Sequence, residues 1–239
     1  GALVADTAPY SDVPTTNTFA GYIAYCQKEG IISGYADGTF KPAATLTGYA
    51  FMKMLLGALG YDSEIEGYTG SNWSIAVGKR ALGIGLDDGN DNFVGVNAVT
   101  REEACLYAFN TLKATMVEYD AKTTVSVEGA QVTVGGSEAK NVSQDGYKSY
   151  TGDSDDTTLE FCEKNFDKLK AKDDTNGFDA PATKWTYDGD EIGTYDKDAD
   201  ATLVVADAEK SLETLITDGD YMDISSKDID ADAKVFFNG

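Results

Sequence analysis

At 239 residues, with 42% hydrophobic residues, a formal charge of −22 and a pI near 4.1, the chain is long enough for one large domain or two small ones with buried cores. The acidity excludes nucleic acid as a partner, because phosphate binding needs clustered Lys and Arg. Histidine is absent, which excludes every triad or zinc site built on imidazole. No run approaches the ~18–20 apolar residues that span a bilayer, so no membrane span is expected. No charged segment leads into an apolar core at the start, and the chain reads as soluble and mature, with residues 2–8 open as the stub of a cleaved signal.

Tyr10-Ser-Asp-Val-Pro14 reads as an extended entry, since Pro14 resists helix. A helix is expected over about 18–29, with Phe19, Tyr22, Ile23 and Cys26 on one face at helical spacing. Gly30 is placed to close it in the left-handed conformation. Within Gly30-Ile-Ile-Ser-Gly-Tyr-Ala-Asp-Gly-Thr-Phe-Lys-Pro42, Asp37-Gly38 reads as a tight turn with positive backbone angles, flanked by Tyr35 and Phe40. A second helix over about 47–59 carries Phe51, Met52, Leu55, Leu56 and Leu59 as its core stripe.

The plan recurs. Gly83-Ile84, Phe93 and Thr100 repeat Gly30-Ile31, Phe40 and Thr47 at an offset of about 53. The first helix of this second copy starts near Ser71 and contains Ile75, Val77 and Leu82. The next opens at Thr100-Arg-Glu-Glu103, a capping box in which the threonine side chain accepts from the backbone and the glutamate reaches back. Ala104, Tyr107, Ala108, Phe109 and Leu112 follow.

Tyr10-Ser-Asp-Val13, the aromatic Phe19, the loop to Pro42, Leu46-Thr47, and then Trp73, Leu82-Gly-Ile84, Phe93 and Val99-Thr-Arg-Glu-Glu103 resemble the S-layer homology (SLH) repeat of bacterial cell-envelope proteins. The resemblance covers roughly residues 8–118, about half the chain. It implies an extracellular, non-enzymatic protein of the cell surface, cell wall or S-layer. It also implies attachment to a negatively charged, often pyruvylated, secondary cell-wall polysaccharide. The polysaccharide-binding residues it implies are Arg101, Thr100, Glu103, Trp73, Asp37 and Gly38. Arginine in a first helical turn faces an already electropositive end, which is mildly unfavourable unless an anion is present. A guanidinium and a helix N-terminus both suit a carboxylate. Trp73 reads either as a packing anchor or as a platform for a sugar ring.

The chain departs from the family pattern in three places. Thr47-Gly48-Tyr49-Ala50 lacks the arginine and glutamate of the motif. Asp87-Asp-Gly-Asn-Asp91 replaces the Asp-Gly-Thr-Phe turn. Two repeats are legible where the family commonly assembles three. These departures support an alternative partner, the chain itself or other surface-layer subunits, in a self-assembling layer or filament without polysaccharide binding.

After Tyr119 the period changes from 3.6 to 2. Thr123-Thr-Val-Ser-Val-Glu-Gly-Ala-Gln-Val-Thr-Val134 reads as a hairpin turning around 128–130. Residues 135–158 read as loop, and 159–169 as a short helix or strand. Trp185-Thr-Tyr187 and Ile192-Gly-Thr-Tyr195 read as strands around Asp188-Gly189-Asp190, and three apolar runs at 202–206, 212–216 and 234–237 follow, the last expected to be a strand that continues past Gly239. The fold class expected is therefore α+β, with two helical SLH-like repeats in 1–119 (about 8–62 and 63–119) and a β-rich surface or assembly domain in 120–239.

The charge is uneven, about −6 up to Tyr119 and about −16 beyond it. A solvated surface accounts for this; weak divalent-cation binding or avoidance of anionic wall polymers are the functional alternatives. No cofactor is expected. Asp196-Lys-Asp-Ala-Asp200 supplies the first three positions of a calcium loop and Asp207 the twelfth, but Ala201 stands where glycine belongs. Asp228, Asp230 and Asp232 read as a solvated face. Cys26, Cys105 and Cys162 lack metal-ligand spacing; Cys26 and Cys105 are expected on buried helical faces, and a disulfide between any two stays open. No nucleophile elbow or phosphate-cradling glycine loop is present, and the chain is expected not to be an enzyme.

Overall fold

The computed structural model describes residues 3–121, 123–127, 130–134, 136 and 138–199. The chain divides into two compact units, Gly1–Asp167 and Lys168–Gly239. It is α+β, with helices first and antiparallel strands after them.

In the first unit, α1 spans Ala20–Lys28, α2 Gly48–Ala58, α3 Trp73–Gly83 and α4 Arg101–Lys113. The helices of both copies form where the 3.6 period predicts. α1, α2 and α3 each close on a glycine with positive φ, Gly30, Gly60 and Gly85. In each case the glycine N–H and the next N–H turn back to carbonyls of the last helical turn, as Gly60 N to Gly57 O and Tyr61 N to Leu56 O show at 3.1 and 3.0 Å. The closing residue of α3 is thus Gly85, not Gly83, which lies inside the helix. The offset of 53 holds at the helix starts, while α3 is two residues longer than α1, with 11 residues against 9.

Met52 and Leu56 of α2 and its C-cap Leu59 meet Val77 and Ala81 of α3, Leu86 and Tyr107 in one core. α1 has its own small cluster of Ala5, Tyr10, Val13, Ala20 and Ile23. Its apolar face differs from the expected one: Phe19 and Tyr22 are exposed, and Ala20, Gly21 and Ile23 are buried. Gly21 takes this place because a Cβ there would stand 2.0 Å from Leu3 O. Ile75 and Leu82 of α3 are exposed too. Cys26 is half-buried, Cys105 exposed and Cys162 buried, all as free thiols, so the expectation of burial fails at Cys105.

The chain then returns to the helical core. β1 (Val117–Tyr119) pairs antiparallel with β4 (Ala139–Asn141), and Val117 N donates to Leu59 O at 2.9 Å. Met116 N donates to Leu159 O, Leu159 N to Val142 O and Val142 N to Met116 O, a closed ring of three segments at 2.8–2.9 Å. Met116, Val117 and Leu159 enter the same core as the helices. Between β1 and β4 lies the predicted hairpin, β2 (Thr123–Val127) with β3 (Ala130–Val134), whose turn at 128–129 lies outside the described residues. α5 (Phe161–Asn165) takes the helical one of the two alternatives expected for 159–169.

In the second unit β5 (Leu169–Thr175), β6 (Pro181–Tyr187) and β7 (Asp190–Asp196) form an antiparallel sheet in that order. Asp188 and Gly189 take φ of 53° and 93°, the double positive turn that tightly joins twisted strands. Leu169, Ala171, Ala182 and Trp185 are buried. The apolar runs at 202–206, 212–216 and 234–237, the end of the calcium-loop candidate and Asp228, Asp230 and Asp232 lie outside the described residues.

Candidate functional site

Equivalent stretches of the two copies meet at their helix starts. Val99 N donates to Leu46 O (2.9 Å), Gly48 N to Asn97 O (3.0 Å) and Tyr49 N to Gly95 O (2.8 Å), and Thr47 bridges Ala98. The N-cap residues Thr47 and Thr100 therefore come to neighbouring positions, both extended (ψ 158° and 166°). At α4 the predicted capping box is closed: Thr100 Oγ1 accepts from Glu103 N at 3.2 Å, and Thr100 N donates to Glu103 Oε2 at 2.7 Å. The bond from Thr100 N, foremost, holds the Glu103 carboxyl below its ordinary pKa. At α2 only half the device exists, because Thr47 Oγ1 accepts from Ala50 N at 3.3 Å and alanine has nothing to return.

Arg101, the first residue of α4, is exposed and makes no ion pair among the described residues. It opens a helix whose first backbone N–H groups lack intrahelical acceptors, a setting that favours an anion. The matching residue of the first copy is Gly48, and the structure supplies the reason. A Cβ there would lie 3.0 Å from Phe93 Cε2 and 3.2 Å from Gly95 Cα. The next residue, Tyr49, has its ring pressed on Gly78 and Gly95 and edge-on to Phe93 (5.8 Å), which meets Tyr107 in the same way (5.7 Å). Where the second copy opens to solvent, the first is occupied by packing.

The loop of the first copy is clamped from the chain's own beginning. The Asp12 carboxylate accepts from Phe40 N (2.8 Å) and Lys41 N (2.7 Å), Ser11 N and Oγ donate to Gly38 O, and the Tyr10 ring stacks on Phe40 at 5.4 Å. The Tyr-Ser-Asp entry thus exists to hold the glycine loop. Gly38 has φ 79°, while Asp37 stays at negative φ, so one positive angle makes the turn rather than two. Asp37 Oδ1 accepts from the hydroxyl and the backbone N–H of Thr39 (2.6 and 3.0 Å), with the hydroxyl the main reason its carboxyl is held below the usual range.

Trp73, first in α3, packs against the helical core with Lys53 Nζ 5.7 Å from its ring centroid. The structure therefore brings Thr100, Arg101 and Glu103 together. Asp37 and Gly38 belong to the loop around α1, and no hydrogen bond or ion pair among the described residues joins Trp73 to either set. A groove of about 360 Å³ runs elsewhere, along α3, lined by Glu66, Ala76, Lys79, Arg80, Gly83 and Ile84. Its Arg80 is committed to Glu66 at 2.9 Å and lies over the Tyr61 ring.

Asn90 is the member of the site that periodicity could not reveal. Its Nδ2 donates to Tyr107 Oη (2.6 Å) and reaches Glu103 Oε1 (3.4 Å), tying the irregular Asp87–Asp91 loop to the start of α4. Asn110, buried, does the same from below, donating to Leu86 O (3.2 Å) and Asp88 O (2.9 Å). Asn90 corresponds, at the repeat offset, to Asp37, and that correspondence was the available signal.

Residues 9–48 match the S-layer homology domain family. The chain is 30% identical over 111 residues to the "Middle cell wall protein" of Brevibacillus brevis, a stretch covering 46% of this chain and 10% of that protein. It is 35% identical over 68 residues to the "Surface layer protein" of Brevibacillus choshinensis, covering 28% of this chain and 6% of that protein. The chain thus spans a tenth or less of the length of these curated relatives. No solved structure matches it at a significant level. The chain carries an S-layer homology domain and is a protein of the bacterial cell surface.

Proposed function

We propose that this is a non-enzymatic protein whose two SLH-like repeats, 8–62 and 63–119, attach it to an anionic, pyruvylated secondary cell-wall polysaccharide. The part from 120 onward projects from the wall or assembles with neighbours. One observation carries the reading: the closed capping box at Thr100–Glu103 opens α4 with Arg101, which is exposed and makes no ion pair among the described residues, at a helix N-terminus whose first turn also holds Glu102 and Glu103. A polymer carboxylate would receive charge-assisted hydrogen bonds there. Trp73, Asp37 and Gly38 would contribute sugar contacts at their own places. The packed Gly48 and Tyr49 make the equivalent first-copy position unsuited to an anion, so the contact with the polymer's charge rests on the second copy.

Sedimentation with isolated cell walls tests this. Protein that pellets with native walls, and stays in solution with walls stripped of secondary polysaccharide, supports anchoring; equal behaviour with both refutes it. The second reading, a self-assembling subunit, is favoured by the exposed aromatics Phe19, Tyr22 and Tyr25 on and beside α1. Sedimentation velocity in calcium-containing buffer separates the two, since a simple anchor stays monomeric.

A further inference from the structure

A second concentration of chemistry lies away from the helix starts, where 143–158 folds back on α5. Asp156, Glu160 and Glu163 place a carboxylate oxygen each within 4.8 Å of one another. Two of them are sealed from water, Glu160 at 8% and Glu163 at 3% exposure. No Lys or Arg pairs with any of the three among the described residues. Glu163 accepts from Tyr150 N (2.8 Å) and Glu160 N (3.1 Å), and Gln144 Nε2 lies 3.1 Å from both of its oxygens and 3.4 Å from Asp156 Oδ2. Asp156 Oδ1 accepts from Thr158 N at 3.2 Å. Glu160 Oε1 accepts from the hydroxyls of Thr158 (3.0 Å) and Thr115 (3.3 Å). Its other oxygen, Oε2, is buried without a hydrogen-bond partner among the described residues.

A sealed carboxylate oxygen without a hydrogen-bond partner, on a residue clustered with two further carboxylates, is costly unless something positive fills the gap. We propose that Asp156, Glu160 and Glu163 bind a divalent cation of the calcium type, with the Gln144 side-chain oxygen as a fourth ligand once its amide is turned over. The donor set is all oxygen, which selects a hard cation. Calcium fits better than magnesium because it accepts irregular oxygen cages, whereas magnesium demands near-ideal octahedral geometry. The ion would fasten the 143–158 segment to the N-terminal turn of α5, and through Thr115 and Leu159 to the helical core.

The test is calorimetric titration of the chelator-treated 239-residue chain with CaCl2, and separately MgCl2, at pH 7.5, together with thermal unfolding. One equivalent of Ca2+ should bind more tightly than Mg2+, and Tm should rise by at least about 5 °C at a hundredfold excess over Kd. Glu160→Gln and Glu163→Gln should abolish both effects. Asp156→Asn, at a less buried position that keeps its bond from Thr158 N, should weaken Ca2+ at least about tenfold while the chain stays folded by circular dichroism. Absence of stoichiometric Ca2+ binding overturns the proposal. So does binding that Asp156→Asn, Glu160→Gln and Glu163→Gln leave unchanged, which would belong to the acidic surface instead.

Discussion

Replacing Gly48 by arginine would give the first copy the residue that opens α4 in the second, and the structure predicts that this harms the protein without adding a binding position. A Cβ at Gly48 meets Phe93 Cε2 at 3.0 Å, Gly95 Cα at 3.2 Å and Gly95 O at 3.4 Å. Ordinary carbon contacts are about 3.5–4.0 Å, so even alanine must displace an aromatic ring and a backbone. Such overpacking costs about 1–3 kcal/mol, offset by up to about 1 kcal/mol of helix propensity. Arginine must in addition leave the packed interface to reach water. That breaks the bonds of Gly48 N to Asn97 O and Tyr49 N to Gly95 O, each contributing about 0.5–1.5 kcal/mol. The total for Gly48→Arg is then about 1–5 kcal/mol, and its central value of about 3 kcal/mol lowers Tm by roughly 6–12 °C in a unit of this size. Differential scanning calorimetry reads this directly. A Gly48→Arg protein that melts like the parent would refute the packing argument, and one that also bound wall polymer more tightly would reverse it.

Thr100→Ala removes the side-chain half of the capping box and should cost about 1 kcal/mol in urea unfolding, against a smaller effect for Thr47→Ala, whose bond is longer and unreciprocated. Glu103 has a folded pKa below its ordinary value of 4.5, so the native state takes its proton less readily than the unfolded chain. Its contribution is present above that value and fades as pH falls through the lower folded one, and Glu103→Gln should flatten this segment of the stability profile. Gly60→Ala should be severe, roughly 2–5 kcal/mol by thermal unfolding, because φ is 103° and a Cβ would lie 2.2 Å from Val117 O. Retention of full stability would mean that β1 does not rest on the end of α2.

The helices of both copies, the capping box, the closing Gly30 and the turn at Asp188-Gly189 were legible because local chemistry dictates each: a 3.6 period, a threonine three residues before a glutamate, a glycine needed at positive φ. The exposed faces of α1 and α3 were not, because Phe19 and Ile75 are apolar yet lie where no partner element covers them among the described residues. β5 was invisible since Leu169-Lys-Ala-Lys-Asp-Asp-Thr175 has the composition of a loop. It is held by β6 and by cross-strand pairs such as Lys184–Asp174 at 2.7 Å. The return of Met116 and Leu159 to the helical core is a tertiary event between distant segments, which periodicity does not encode. At the candidate site Thr100, Arg101 and Glu103 could be read from one motif. Asn90 and Gly48 could not, because Asn90 acts through tertiary contacts with Glu103 and Tyr107 inside the second copy, and Gly48 through contacts with Phe93 and Gly95 across the two copies.

The central functional claim is that Arg101 holds wall polysaccharide, and calorimetric titration of the purified polymer into the parent and Arg101→Ala proteins tests it most directly. Arg101 is exposed and makes no ion pair within the described chain, so the variant should melt as the parent does. Loss of charge-assisted hydrogen bonds of about 1.5–3 kcal/mol should weaken binding roughly 10- to 150-fold. Equal affinity of the two proteins would contradict the claim and leave assembly as the function the fold serves.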